Sequence, residues 1–309
     1  MKIKIYRGFG DPRLHKKERA VAVGIFDGVH QGHQKIIARV LIESRKRGWV
    51  PTVVTFDPHP MKVLRPRIHH PNILMSLAHR LRMFESLGVR EAVVIRFDRR
   101  FSKVSREIFL RRLLLDRLGM KFLAVGHDFR FGRKALGDSD FLRGEAKKSG
   151  FHAAFISPLK NAGQIISSTR IRSLVETGRL AEAKKMLGRP VSVYGTVVRG
   201  RGRGKKLGFP TANLNPHHEA LPPEGVYAAF GYLGGRKLKG VIHIGARPTF
   251  SESDRSLEVH FLNFTGDLYG REIELVFVAR LRGIRRFQNP EALTRAIRRD
   301  SQKAARLLR

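Results

Sequence analysis

From about residue 20 to residue 160, apolar runs of strand length alternate with amphipathic stretches of helical spacing; beyond about residue 186 the alternation stops. This change of pattern constrains the fold more than any other feature. Residues 20–26, 50–56, 92–97, 122–126 and 153–156 read as strands. Between them the spacing predicts helices over 32–47, 76–87, 105–118 (with Ser105 as N-cap) and 138–149. Continuous apolar strands separated by helices imply a doubly wound parallel sheet in an α/β domain. Ligands of such sheets bind beyond the carboxyl ends of the strands. Helical sequence over 180–187 is broken by Gly188-Arg189-Pro190, which places a domain boundary near 186 and gives domains 1–186 and 187–309. Runs 191–198, 227–233, 238–244, 257–264 and 273–279 are β-rich and separated by Gly, Pro and Asn turns. They predict a small antiparallel β-barrel. A basic amphipathic helix from about Asn289 follows, with Leu293, Ile297 and Ala304 on its apolar side.

Composition excludes some chemistry. The chain has no cysteine, so disulfides, thiolate metal sites and cysteine nucleophiles are ruled out, and a reducing compartment fits. The first residues lack the apolar run of a signal peptide, and no segment approaches the length of a membrane span, so a cytoplasmic protein with no membrane partner is expected. The formal net charge is +35 and is not confined to one tail, since residues 186–309 carry 22 basic and 10 acidic side chains. Such a surplus suits nucleic acid or another polyanion. No zinc-finger, RRM or KH signature accompanies it, and a basic proteome or anionic nucleotide substrates explain it equally well. Nucleic acid is not expected as the primary partner.

Chemistry first appears where the first long strand hands over to a helix: Gly24-Ile25-Phe26-Asp27-Gly28-Val29-His30-Gln31-Gly32-His33. A helix N-terminus offers free N–H groups and the positive end of the dipole, both suited to phosphate. Glycines at 24, 28 and 32 allow close approach of the backbone. The other reading is a strand–turn–helix corner with incidental histidines. Two further loops fall at strand ends. Thr55-Phe56-Asp57-Pro58-His59-Pro60 is held extended by its prolines, and Gly126-His127-Asp128-Phe129-Arg130-Phe131-Gly132 gathers an acid, a base and aromatics. Asp128 and Arg130 could simply pair with each other. Ser167-Ser168-Thr169-Arg170-Ile171-Arg172 opens a helix, either as a plain N-cap followed by surface arginines or as a fork for phosphate oxygens.

In the β-rich part, residues 199–206 alternate glycine with cations and run into Leu207-Gly208-Phe209-Pro210-Thr211-Ala212-Asn213. This loop can wrap a polyphosphate or act as an RGG-like RNA segment. It is not a Walker A loop, because Ser or Thr does not follow Gly-Lys. Thr211 and Asn213 supply a hydroxyl and an amide oxygen, hard ligands suited to Mg²⁺. Strand alternation puts Glu258 and His260 on one face, opposite Leu257, Val259 and Phe261. Glu258 is either an ordinary exposed strand residue or a general base.

Taken together, these motifs resemble those of the bifunctional riboflavin kinase/FMN adenylyltransferase family, the prokaryotic FAD synthetases, over about residues 15–305. His-x-Gly-His at 30–33 is similar to the nucleotidylyltransferase superfamily signature. The resemblance implies a nucleotidylyltransferase-like domain that transfers AMP from ATP to FMN, and a riboflavin kinase barrel. In the first, His30, His33 and Arg170 would be catalytic. Gly24, Phe26, Asp27, Gly28, Ser168, Thr169 and Arg172 would bind ATP and its phosphates. Asp57, Pro58, Asp128, Phe129 and Arg130 would border the flavin. In the second, Gly204, Lys206 and Gly208 would embrace ATP, Thr211 and Asn213 would hold Mg²⁺, and Glu258 would take the proton of the riboflavin hydroxyl. Pro223–Tyr227, 244–250 and 267–270 also match the family pattern. Two positions depart from it: Ile284 stands where an acid is usual, and His243 where Asn is usual. Two alternatives remain open at this point: that only the adenylyltransferase is active, or that the chain is a basic RNA- or nucleotide-binding protein on the same scaffold.

Overall fold

Six strands of the first half, β1 (Lys4–Arg7), β2 (Arg19–Val23), β3 (Val50–Asp57), β4 (Glu91–Arg96), β5 (Met120–Gly126) and β6 (His152–Ile156), form one sheet in the order β1-β4-β3-β2-β5-β6. Every pairing in it is parallel. The computed structural model describes residues 2–66, 72–200, 204, 207–217, 219–246 and 255–309. The order reverses direction at β2, the arrangement that makes room for a ligand beside that strand's carboxyl end. Strand β2 is buried along its whole length, which accounts for its unbroken apolar run. It stops at Val23, three residues short of the expected end at Phe26. Gly24 N still bonds Val54 O, but Phe26 has φ 57° and Gly28 φ 81°, values that no strand accommodates.

Helix α1 (Gln31–Arg47) follows, burying Ile36, Ile37 and Val40, and ends at Gly48 with φ 72°. Then come α2 (Pro60–Leu64), α3 (Leu77–Ser86) and α4 (Ser139–Ser149), the last capped by Asp138 through Phe141 N. Ser105 Oγ accepts from Ile108 N as expected, but residues Ile108–Arg117 take π-type hydrogen bonding, so that Leu118 N bonds Leu113 O. A short hairpin, β7 (Lys160–Asn161) and β8 (Gln164–Ile165), leads to α5 (Ser168–Glu176) and α6 (Leu180–Leu187).

Strands β9 (Ser192–Val198), β10 (Ala212–Asn215), β11 (Gly225–Leu233), β12 (Arg236–Ala246), β13 (Arg255–Phe261) and β14 (Glu272–Arg282) close into an antiparallel barrel, in the order β10-β13-β12-β11-β14-β9 with β9 joined to β10. Closure leaves none of the six with a free edge. Helix α7 (Pro290–Leu307) is capped by Asn289 and buries Ala296, Asp300 and Ala304. Of the expected apolar side, Ala304 is buried, whereas Leu293 and Ile297 are only half-buried. The helix is rotated because the buried face includes a carboxylate. Arg282 of β14 donates to both oxygens of Asp300, at 3.2 and 2.9 Å, and hydrophobic periodicity does not count such a pair.

By packing, the chain divides into two units: Met1–Pro71 with Leu77–Ser168, and Asn72–Ser76 with Thr169–Arg309. The short segment Asn72–Ser76 thus belongs to the barrel unit. There the buried Glu219 accepts from Ser76 N at 2.8 Å and from Tyr194 N at 3.0 Å, while Ala220 N bonds Ile73 O.

The amino end of the parallel sheet is held by a buried ion pair. Arg19 Nε lies 2.8 Å from Glu91 Oε2, with the two side chains 0% and 4% exposed. Tyr6 OH donates to the other carboxylate oxygen, and Arg19 Nη1 to Leu118 O and His15 O. Glu91→Gln leaves the Arg19 charge buried without its counter-ion and is expected to cost about 3 kcal/mol. Urea denaturation checks this: the midpoint should fall, and an unchanged midpoint would refute the role of the pair.

Candidate active sites

The turn after β2 is built by its own side chains. Ser168 Oγ donates to Asp27 O at 2.8 Å, tying this turn to the first residue of α5. Thr55 Oγ1 at the end of β3 donates to Ile25 O at 3.1 Å. Gly24 and Gly32 serve the turn rather than leaving open space. A Cβ on Gly24 would meet the Phe26 ring at 3.1 Å, and one on Gly32 would meet the His30 ring at 3.2 Å. His30 caps α1, its Nδ1 accepting from His33 N at 3.4 Å, so the proton of the neutral ring sits on Nε2. The two imidazoles stack with centroids 3.6 Å apart, and the edge of Phe26 meets His33 at 5.3 Å. His33 Nδ1 is shielded from solvent and has no hydrogen-bond partner among the described residues. Burial, with the neighbouring His30 and Arg80 charges adding to it, holds the His33 imidazole well below its ordinary pKa of 6.5. In the free protein near neutral pH this ring is therefore uncharged.

Beneath the turn lies a residue that no motif announced. Arg80 of α3 is 4% exposed. Its Nη1 donates to Ile25 O at 2.6 Å and Thr55 Oγ1 at 2.8 Å, and its Nη2 to Phe56 O at 3.2 Å. Asp57 Oδ1 is 3.8 Å from Nη2. One turn further along α3, Phe84 packs edge-on against Phe26 at 5.6 Å. The only sequence signal was a cation four residues before Phe84 on the same helix face, which reads as an irregularity of an amphipathic helix.

The Asp57–Pro58 peptide is cis, and both residues line a cavity of about 780 Å³. Arg7, Asp57 and Arg96, the last residues of β1, β3 and β4, stand at its mouth, with Phe9, Ile95 and Phe101 on its apolar walls. Size and lining suit an aromatic ligand carrying an anionic group. Arg7, Phe9, Arg96 and Phe101 carry no motif of their own; they come from residues 7–9 and 96–101, two stretches brought together by the sheet.

The third loop is partly different from expectation. Phe129 stacks on Phe131 at 5.4 Å, making an aromatic ledge after β5. Arg130 pairs with Asp138 at 2.8 Å and not with Asp128. Asp128 is exposed, with His127 Nδ1 3.8 Å away. Thr169, Arg170 and Arg172 occupy the first two turns of α5 and count with the barrel unit, whereas Ser168 counts with the sheet.

In the barrel, three of the expected residues meet. Thr211 Oγ1 donates to Glu258 Oε2 at 3.2 Å, and Asn213 stands directly opposite Glu258 in the β10–β13 register. On the other side of β13, His243 of β12 is opposite Glu258. His260 Nδ1 lies 2.8 Å from Pro210 O, and its ring meets Phe209 edge-on, fixing the turn that presents Thr211. Gly204 accepts from Leu207 N and Phe209 N, and Gly208 has φ 80°. Lys206, like Arg247 to Phe250, lies outside the described residues. Ile284 is exposed, at 45%. Thr211, Asn213 and Glu258 provide oxygen donors of the type Mg²⁺ takes. Among the described residues no group of three acidic or histidine side chains could hold a metal alone. Such a site suits an ion that shares its coordination with substrate phosphates.

Comparisons with known proteins agree with this division. The FAD synthetase family model matches residues 13–170, and the riboflavin kinase model residues 187–308. The bifunctional riboflavin kinase/FMN adenylyltransferase of Escherichia coli (strain K12) is 37% identical over 301 residues, covering 96% of each chain. That of Bacillus subtilis (strain 168) is 33% identical over 304 residues, covering 95% of this chain and 94% of the relative. A solved structure described as a macrolide-efflux protein from Streptococcus pneumoniae superposes with a TM-score of 0.82 at 26% identity, covering 99% of each chain. No helix among the described residues is long and apolar enough to cross a membrane. Two family models in tandem, with relatives matched nearly end to end, make the chain a member of the bifunctional riboflavin kinase/FMN adenylyltransferase family.

Proposed function

We propose that this enzyme makes FMN from riboflavin at the Thr211–Asn213–Glu258 site and FAD from FMN at the His30–His33 site, each time with ATP. The observation that carries the two-site reading is that the histidine pair and the Thr211–Glu258 pair fall in different packing units, each matched by its own family model. We place the boundary between the two catalytic domains near residue 186, giving 1–186 and 187–309, although residues 169–186 pack with the barrel unit.

In the barrel, the Glu258 carboxylate accepts the proton of the riboflavin 5′-hydroxyl as that oxygen bonds to the γ-phosphorus of ATP and ADP leaves. Thr211 and Asn213 would hold Mg²⁺, which when bound screens the phosphate charges. Thr211 would then exchange its bond to Glu258 for the ion, leaving the carboxylate free to accept. Gly204, Lys206 and Gly208 would bind ATP.

In the sheet unit, a phosphate oxygen of FMN attacks the α-phosphorus of ATP and pyrophosphate departs. No group on the protein needs to become covalently attached, so the work is positioning and charge stabilisation. The imidazoles of His30 and His33 donate to the phosphates, on a turn formed by Gly24, Phe26, Asp27 and Gly28. Ser168, whose hydroxyl already bonds this turn, would meet the pyrophosphate. The cavity at Asp57–Pro58 is the flavin subsite: the ring system lies against Phe9 and Phe101, and Arg7 and Arg96 face its phosphate. Phe129, Asp128 and Arg130 border it. A reducing cytoplasm suits a chain without cysteines.

The first test is incubation with riboflavin or with FMN, each with ATP and Mg²⁺, followed by separation of the flavins. FMN and FAD are expected from the first tube and FAD from the second; conversion in neither would overturn the reading. His33→Ala should lower FAD formation by about 10²-fold or more and leave FMN formation intact. Glu258→Gln should lower FMN formation by about 10²–10⁴-fold while FAD formation from added FMN persists. Equal loss of both activities in either variant would sink the two-site assignment. Arg96→Met should raise the KM for FMN about tenfold with little change in kcat, as steady-state kinetics would reveal.

A further inference from the structure

The reading of the sheet unit assigns no part to Arg80, although this side chain has the most unusual environment near the histidine pair. A cation 4% exposed in a protein interior needs strong compensation. Here the compensation is two main-chain carbonyls and a hydroxyl, all at the carboxyl ends of two neighbouring parallel strands. Ile25 lies inside the nucleotide-binding turn, and Phe56 directly precedes Asp57–Pro58. Nη1 bonds the first and Nη2 the second, so one planar guanidinium spans both loops. Thr55 Oγ1 completes the arrangement by accepting from Arg80 and donating to Ile25 O.

We propose that Arg80 is a positioning residue for adenylyl transfer, setting the His30–His33 turn against the Asp57–Pro58 loop so that bound ATP and FMN meet in line. The inference rests on the adenylyltransferase reading of this site. A lysine in its place keeps the charge but presents a single ammonium, which cannot reach acceptors on both strand ends in the plane of a fork. A structural prop without catalytic consequence would tolerate that exchange with a change in stability only. Arg80 also acts on His33 through its charge. Among the described residues, the charged or titratable groups that act on that ring are His30 from the start of α1 and Arg80 from α3, with Asp57 at the end of β3 beyond Arg80. Removing the Arg80 cation lets His33 take a proton more readily, so its titration moves upward towards 6.5.

The experiment uses the full chain with Arg80→Lys and Arg80→Met. For Arg80→Lys, kcat for FAD formation from FMN should fall at least tenfold, with KM for ATP and FMN changed less than threefold. FMN formation from riboflavin, which uses none of these residues, should be unaltered in the same preparation. The His33 ring resonance, assigned with His33→Gln, should titrate as in the parent protein for Arg80→Lys and at higher pH for Arg80→Met. FAD formation by Arg80→Lys within twofold of the parent would overturn the proposal. So would a loss that merely follows the unfolded fraction measured on the same sample. If the parent protein makes no FAD from FMN, the adenylyltransferase reading fails by itself. The titration needs no turnover, so an unmoved His33 in Arg80→Met counts against Arg80 even in that case.

Discussion

A main-chain carbonyl that leaves a sheet inside a protein must still find a donor. That requirement shapes the whole carboxyl end of the parallel sheet. Strand β2 makes its last ladder bond through Gly24 N to Val54 O, and the chain then turns through Phe26 at φ 57°. The carbonyl of Ile25, stranded by this exit, is met by Arg80 Nη1 and Thr55 Oγ1. With that carbonyl held, Phe26 can fold back over Gly24 and rest on Phe84, His30 can lie over Gly32, and His33 can stack on His30. The depressed basicity of His33 is a consequence of this packing. A ring buried among aromatic neighbours and beside the Arg80 cation gains little by taking a proton.

The two ends of the sheet use buried charge differently. At the amino end, Arg19 and Glu91 neutralise each other and bind the strands that bracket β3. At the carboxyl end, Arg80 spends its hydrogen bonds on carbonyls, and Asp57 stays 3.8 Å away with half of its side chain in solvent. The first arrangement is closed. The second links the ends of two neighbouring strands through one guanidinium. In the barrel unit, Glu219 is the corresponding anchor: its carboxylate collects the N–H groups of Ser76 and Tyr194.

Much of the fold was legible because it depends on local rules. Parallel strands buried on both faces must be continuously apolar, and barrel strands with one wet face must alternate, so the two halves announce themselves. Element ends and helix phase were less legible. The terminal helix turned its Asp300 inward because Arg282, eighteen positions earlier, was waiting for it. Arg130 found Asp138 rather than Asp128 because Asp138 already capped α4 at a place the loop could reach. Partners eight and eighteen positions away made these choices, and no periodicity encodes them.

The sequence by itself determined that a glycine-rich turn carrying two histidines follows the first buried strand, that a hydroxyl, an amide and a carboxylate recur in the β-rich half, and that these fit one enzyme family. Those features lie in contiguous motifs whose chemistry depends on residue type and spacing. Only the tertiary structure decided that Thr211 touches Glu258, since β10 and β13 are neighbours only through barrel closure. It also decided that Arg7, Arg96 and Phe101 share a cavity with Asp57, and that a helix arginine with no motif around it holds two loops together. These relations arise where the ends of non-adjacent strands converge, and convergence is a property of topology that a one-dimensional pattern does not carry.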